Sequence, residues 1–511
     1  MVLLPTLLLT WSSLAYGLSS HAFHALGPQA VKLWRLEKIN FTQPLDHFDK
    51  TNKFTFSQRF WVNAQFYQPG GPVILLDGGE TSGTDRLPYI STGVAAKIAN
   101  ATGGLALVLE HRYYGNSIPV ANFSTDSLRW LTNEQAMADS ANFMANVNLS
   151  AVTGIPGDFT APKTPYIYYG GSYAGARSAH MKVTYPNLVY GAIASSGVTH
   201  AAVNLWEYYD VIRNATPQCS PVFSKAIETV NIALSNKDLN GPVKDMFGLT
   251  GLTDADFASV LADVPLGGWQ NSNWDPSVGS DSWTPFCEMI AKPPAAPAPQ
   301  TRVLGNMTVD FGFLNLVNYI QQNFVSRCLR TNQTIADCFS TANDTSLQED
   351  DLSQTWRPWQ FQVCTAWGFF MVSPPPAGVP PMVATPITID YLSEICKQAY
   401  PPGEHFKVPP LPNVEDVNRL GGFFIAADRL AIVDGELDPW RPATAHSSYA
   451  HLPPRQDTTL RPFKLIPQAV HHYDENGLAD QSLEPPQIQD IHNEEIAFVK
   501  AWLKDFKPPK H

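Results

Sequence analysis

The sequence predicts an α/β protein in which a largely parallel sheet, layered by helices, is interrupted by a helical, disulfide-braced insertion. Three observations carry this reading. Short apolar runs bounded by glycine or charged residues recur toward both ends of the chain and alternate with helical patterns, as buried parallel strands do. All six cysteines lie between Cys219 and Cys396. The same middle region holds proline-rich segments beginning at Lys292 and Ser373, which read as loops because proline continues neither a helix nor a ladder.

The candidate strands, in order, are Val73–Leu76, Leu105–Leu109, Tyr166–Tyr169, Val189–Ala194, Leu430–Val433 and Phe463–Ile466. Helical runs fall near 222–236 and 311–325, and a final helix places Ile496, Val499, Leu503 and Phe506 on one face. A chain of 511 residues exceeds one compact core. The expected division is a segment at 1–17 removed on export, a sheet-bearing domain from 30–200 and 411–511, and a cap at 201–410.

Export is read from the N-terminus and the middle together. Met1-Val-Leu-Leu-Pro-Thr-Leu-Leu-Leu-Thr-Trp followed by Ala15 and Gly17 has the apolar run and small-residue cleavage site of a signal peptide. No other stretch approaches the ~18 apolar residues of a spanning helix, so the mature chain is expected to be soluble and free of the membrane. Eight Asn-X-Ser/Thr sequons, at Asn40, Asn100, Asn122, Asn148, Asn214, Asn306, Asn332 and Asn343, are candidate glycosylation sites. The even set Cys219, Cys287, Cys328, Cys338, Cys364 and Cys396 suits an oxidising compartment, and sequential pairing is expected, with Cys328 to Cys338 the shortest closure. No CxxC pair points to zinc or redox chemistry, and neither metal nor cofactor is expected.

The balance of 34 basic against 46 acidic residues, a formal charge of −12, disfavours nucleic acid and anionic membranes as partners. Carboxylates that protonate without losing a partner suit an acidic medium.

The stretch Pro165-Tyr-Ile-Tyr-Tyr-Gly-Gly-Ser-Tyr-Ala-Gly-Ala-Arg runs an apolar strand into a glycine-flanked serine and then a helix. That is a nucleophile elbow, in which strained backbone and close neighbours require small residues around Ser172. The match to G-x-S-x-G is imperfect, because Ala174 stands two positions beyond the serine and Gly175 one later. In the α/β-hydrolase fold an acid and a histidine follow in that order, at later strand ends. Asp438 follows the run ending at Val433, and His471 follows the run ending at Ile466. His471 would take the Ser172 proton, and Asp438 would fix its tautomer. Asp434 and Asp474 are alternative acids, and His472 an alternative base. An oxyanion hole would use the Tyr173 N–H with Gly79 or Glu80, from the Asp77-Gly-Gly-Glu80 loop.

These residues, with Phe41-Thr-Gln-Pro-Leu-Asp-His-Phe, Glu110-His-Arg-Tyr-Tyr-Gly-Asn-Ser, Trp359-Gln-Phe-Gln-Val-Cys-Thr and Asp438-Pro-Trp, resemble the lysosomal Pro-X carboxypeptidase and dipeptidyl peptidase II family of serine peptidases. The cysteine spacing looks most like its secreted, acid-active fungal prolyl endoprotease branch. The resemblance spans nearly the whole chain. It implies hydrolysis on the carboxyl side of proline through an acyl-enzyme, with proline-containing peptides as substrates and Trp440 lining the proline pocket.

Ala174 departs from the family's glycine, and Ala366 stands where many members carry glutamate after Cys-Thr, which favours endopeptidase action. Exopeptidase action, a lipase or esterase, and an inactive binding protein are the competing expectations. Glu110-His111-Arg112 is expected to be structural, with support for the cap side of the site as the alternative. The expected location is extracellular, or a lysosomal or vacuolar lumen; the sequence leaves oligomeric state open.

Overall fold

A computed structural model describes residues 38–296, 300–342, 344–373 and 378–509; the segment 1–17 and the Asn343 sequon lie outside the described residues. The six expected strands appear, joined by two more, in an eight-stranded sheet. In chain order the strands are β1 (Ile39–Pro44), β2 (Thr55–Asn63), β3 (Val73–Asp77), β4 (Leu105–Leu109), β5 (Tyr166–Gly171), β6 (Val189–Ser195), β7 (Leu430–Gly435) and β8 (Phe463–Ile466). Their spatial order is β1-β2-β4-β3-β5-β6-β7-β8. β1 and β2 are antiparallel, and the other six run parallel.

Every residue of β3, β4, β5 and β7 is buried, which explains why these strands read as unbroken apolar runs. Val73 and Leu75 pack with α2 (Asn133–Asn146) and α3 (Tyr173–Thr184) on one face. Ile74 and Leu76 pack with α1 (Val94–Thr102) and α4 (Pro486–Lys504) on the other. At roughly 1.5–3 kcal/mol for each large aliphatic side chain buried, this two-sided burial dominates the stability of the layer.

The antiparallel pair was not expected, because polar residues interrupt its apolar pattern. Gln58, Arg59 and Asn63 in β2 are buried, each with a partner: Gln58 donates to the Glu110 carbonyl at 2.7 Å, Arg59 Nε to the Glu110 carboxylate at 2.7 Å, and Asn63 to the Ile90 carbonyl at 2.7 Å. The final helix also differs from expectation. It starts at Pro486, and its buried face includes His492 and Glu495 beside Phe498, Val499 and Trp502; Ile496 and Leu503 are only partly buried. Phe506 lies past its end, edge-on to Tyr190 at 5.0 Å.

Between β6 and β7 the chain is mainly helical. The disulfides Cys219–Cys287, Cys328–Cys338 and Cys364–Cys396 have Cα separations of 5.4, 6.0 and 5.5 Å, the sequential pairing expected. A short parallel pair joins Ala202–Asn204 to Gly368–Phe370. The apolar core of this region is continuous with Tyr173 and Ala176 of α3 and with Trp440, so the insertion sits on the strand ends that bear the site.

Candidate active site

Ser172 joins β5 to α3 with φ 61° and ψ −124°, a conformation that costs a non-glycine residue about 1–3 kcal/mol. Its surroundings hold it there: the Ser172 N–H donates to the Ser195 carbonyl at 2.9 Å, and the Ser172 carbonyl accepts from the Ala176 N–H at 3.0 Å. The small residues around the turn have separate reasons. A Cβ on Gly170 would lie 2.1 Å from the Ala174 carbonyl oxygen, and one on Gly175 would lie 2.5 Å from the Ser195 oxygen. Gly170 and Gly175 are therefore the positions that tolerate no side chain. The Ala174 methyl instead faces Gly79, where an added Cβ would stand 3.3 Å away.

His471 Nε2 lies 2.8 Å from Ser172 Oγ, and His471 Nδ1 lies 2.9 Å from Asp438 Oδ2. Asp438 is fully buried, and its other oxygen accepts the Trp440 N–H at 2.8 Å. Burial alone would raise the Asp438 pKa. The charge and hydrogen bond of His471, with hydrogen bonds from Ser196 and the Trp440 N–H, hold it below the ordinary range. Burial lowers the His471 pKa below its usual value, with Asp438 opposing that shift.

The alternatives occupy other bonds. Asp434 pairs with His446 at 2.7 Å; Asp474 accepts from Ser195 Oγ at 2.6 Å and Tyr169 Oη at 2.7 Å; His472 pairs with Glu475 at 3.0 Å. His472 also donates its backbone N–H to Ser196 Oγ at 2.8 Å, so the doubled histidine orients the loop that carries His471.

Tyr173 opens α3 and its N–H has no acceptor among the described residues. The Gly79 N–H is taken by the Asp77 carboxylate at 3.0 Å, which removes Gly79 from the candidate donors and leaves Glu80. The Glu80 carboxyl is pushed up by burial, opposed by the Arg86 charge. Arg86 in turn donates to the Gly78 carbonyl at 3.2 Å and lies 3.9 Å from Glu475.

These groups face a cavity of about 350 Å³ between the sheet and the insertion. Trp440 is one of its lining residues, edge-on to Tyr208 at 5.3 Å and to Phe369 at 5.2 Å, with the His471 ring 6.3 Å away. Trp359 and Val363 also line it, whereas Ala366 packs against the core of the insertion.

Glu110 and Arg112 are structural, as expected: Glu110 pairs with Arg59, and Arg112 Nε donates to Asp139 at 2.6 Å. His111 does more. Its Nε2 lies 3.0 Å from Tyr173 Oη, and burial, then the Arg177 charge, lowers its pKa to about 3, so it supports the residue after the serine as a neutral ring. Arg86, Glu475 and the wall residues Tyr208 and Phe369 were not singled out as site residues. No local pattern marks them, because they converge from separate elements.

The parallel sheet, the strained serine between strand and helix, and the order of the acid and histidine after it define an α/β-hydrolase fold of the serine hydrolase class. The model of the serine carboxypeptidase S28 family matches residues 43–254 and 286–492. The chain belongs to this family of serine peptidases. It is 38% identical over 493 residues, 90% of this chain and 67% of the other, to a probable extracellular serine carboxypeptidase of Arthroderma benhamiae. It is 27% identical over 489 residues to the mouse (Mus musculus) thymus-specific serine protease, covering 91% of this chain and 87% of that one. Among solved structures, a proline iminopeptidase of Mycobacterium smegmatis aligns over 91% of this chain and 99% of that chain at 14% identity and a TM-score of 0.34.

Proposed function

We propose that Ser172, His471 and Asp438 are the catalytic triad of a secreted, acid-active peptidase that cleaves within peptides on the carboxyl side of proline. The observation that carries this reading is His471 bridging Ser172 and Asp438 at 2.8 and 2.9 Å beside an aromatic-walled cavity.

In the first half-reaction His471 Nε2 takes the Ser172 proton as Oγ attacks the scissile carbonyl carbon. The Tyr173 and Glu80 N–H groups receive the negative charge that develops on the carbonyl oxygen. Asp438 holds the Nδ1–H tautomer and stabilises the imidazolium. His471 then donates the proton to the departing amine, leaving an ester on Ser172. Water, deprotonated by His471, attacks that ester; the ester C–O bond breaks, the His471 proton returns to Ser172 Oγ and the carboxylic acid departs. Because His471 has a lowered pKa, its basic form persists into acid, consistent with activity there.

A prolyl ring is rigid and apolar, and its imide nitrogen needs no acceptor. The walls formed by Trp440, Phe369 and Tyr208 suit such a ring. The exposed sequons at Asn40, Asn100, Asn148, Asn214, Asn306 and Asn332, the apolar N-terminus and the name of the Arthroderma relative support a secreted glycoprotein. A lysosomal or vacuolar lumen offers the same acid, oxidised setting.

Carboxypeptidase action is the second reading, favoured by the family's description and by the Arthroderma relative's name, with Arg86 the arginine in the cavity wall that could meet a terminal carboxylate. Cleavage of doubly blocked peptides carrying Pro, Ala or Leu at the scissile position separates the two. Selective cleavage after proline, reduced roughly 10⁶-fold in kcat by Ser172→Ala, is the expected result. A requirement for a free carboxyl terminus would decide for the carboxypeptidase.

A further inference from the structure

We infer that Gln270 is a specificity-determining residue, whose side-chain N–H groups present a donor to a backbone carbonyl on the acyl side of the substrate. The cleft thereby takes an acylated peptide segment in preference to a free amino terminus. This rests on the peptidase reading above and adds to it the means by which chain interiors are selected.

Gln270 ends a short 3₁₀ turn, Pro265–Trp269, within residues 255–285, the stretch between the two segments matched by the family model. Val264, Gly267, Gln270 and Asn271 from this stretch line the cavity. Their placement relative to the serine, histidine and aspartate is set by hydrogen bonds to the loops that carry the latter two. Trp269 Nε1 donates to the Leu437 carbonyl at 3.0 Å, next to Asp438. Trp274 Nε1 donates to the Tyr473 carbonyl at 2.9 Å, just beyond His471. Asn476 Nδ2 donates to Asp275 at 3.1 Å.

The orientation of the Gln270 amide is decided by chemistry. Its Oε1 accepts from Trp440 Nε1 at 2.7 Å and from Tyr208 Oη at 3.0 Å. An indole N–H only donates, so the oxygen must face Trp440 and the amide nitrogen must face away from it. That nitrogen has no acceptor among the described residues, although Gln270 lines the cavity. A peptide carbonyl would supply the missing acceptor. A terminal ammonium carries three donors and no acceptor, and would set donor against donor.

The test compares kcat/KM for an anilide of Ala-Pro with that of its acetylated form, in wild type and in Gln270→Glu. The substitution keeps an oxygen for Trp440 and Tyr208 and replaces the donor by an acceptor. The acetylated-to-free ratio should fall about tenfold or more where the new carboxyl is ionised, and return toward the wild-type value in acid, where the protonated carboxyl can donate. Equal loss on both substrates, with the ratio constant across pH, would show a purely structural residue and overturn the inference. So would a wild type that prefers the free amino terminus. Should Gln270→Glu not fold, wild type alone decides: replacing the acyl-side carbonyls other than the scissile one, one at a time, by methylene should identify one position costing about tenfold, and no such position overturns the inference. If wild type proves to need a free carboxyl terminus, the endopeptidase reading falls. The amino-terminal block is then varied on substrates bearing that carboxylate, and the ratio still decides Gln270.

Discussion

The sheet layer and the insertion between β6 and β7 are held by different forces. The strands and their flanking helices contain no cysteine and rely on aliphatic burial on both faces, whereas the insertion carries three disulfides and a core of aromatic and aliphatic side chains. They also contribute different parts of the site. Ser172, Asp438 and His471 all follow strands of the sheet, where backbone ladders set position within fractions of an ångström. Much of the cavity wall, including Tyr208, Gln270, Trp359 and Phe369, comes from the insertion, where position depends on side-chain packing and cross-links. Bond-making and substrate selection should therefore be separable by mutation.

Among the tests of this separation, the largest effect is expected on the sheet side. Asp438→Asn should lower kcat roughly 10⁴-fold, because an amide stabilises the wrong tautomer of His471, while the melting temperature and the KM for a prolyl peptide change little. Steady-state kinetics with thermal unfolding check this, and a comparable fall in substrate affinity would show that the two regions are not separable.

Breaking the other region is the next test. Removing Cys364 and Cys396 together opens a closure of 32 residues and should cost about 3–4 kcal/mol, confined to the insertion. Because Trp359 and Val363 lie close in sequence to Cys364 and line the cavity, KM should rise before reactivity of Ser172 toward a fluorophosphonate is lost. Calorimetry should show the insertion unfolding ahead of the sheet.

The smallest expected effect concerns pH. Glu495 in α4 is fully buried, and neither of its oxygens has a donor among the described residues. Burial first, and then the charge of Asp474, pushes its pKa well up; burial raises Asp474 as well. A carboxyl whose folded pKa exceeds its unfolded value leaves stability intact below the ordinary carboxylate range, and lowers it as pH rises through the folded value. Glu495→Gln should therefore raise the melting temperature by about 2–4 °C at pH 7 and leave it unchanged near pH 4. Equal gains at both pH values would place the sensitivity elsewhere.

Much of this was legible in residue order. The six parallel strands could be read because burial on both faces demands continuous apolar runs, and Ser172, Asp438 and His471 because each follows such a run in a fixed sequence. β1 and β2 escaped because Gln58, Arg59 and Asn63 satisfy their polar groups through partners remote in the chain. Glu495 escaped for a related reason, since a carboxyl in a buried stripe reads as a break in periodicity. Among the candidate oxyanion donors, Gly79 was plausible from its loop. Only its bond to Asp77 excluded it.

By itself the sequence determined the fold class, and it set Ser172 at a strand-to-helix turn followed by candidate acids and histidines at later strand ends, because each follows from local pattern: strand runs, spacing and turn chemistry. Tertiary structure alone decided which acid meets His471, that His472 turns to Glu475, and that Gln270 from the insertion grips Trp440 from the sheet layer. Those outcomes depend on side chains far apart in sequence converging in one buried volume, where each donor takes the acceptor that three-dimensional packing brings within reach.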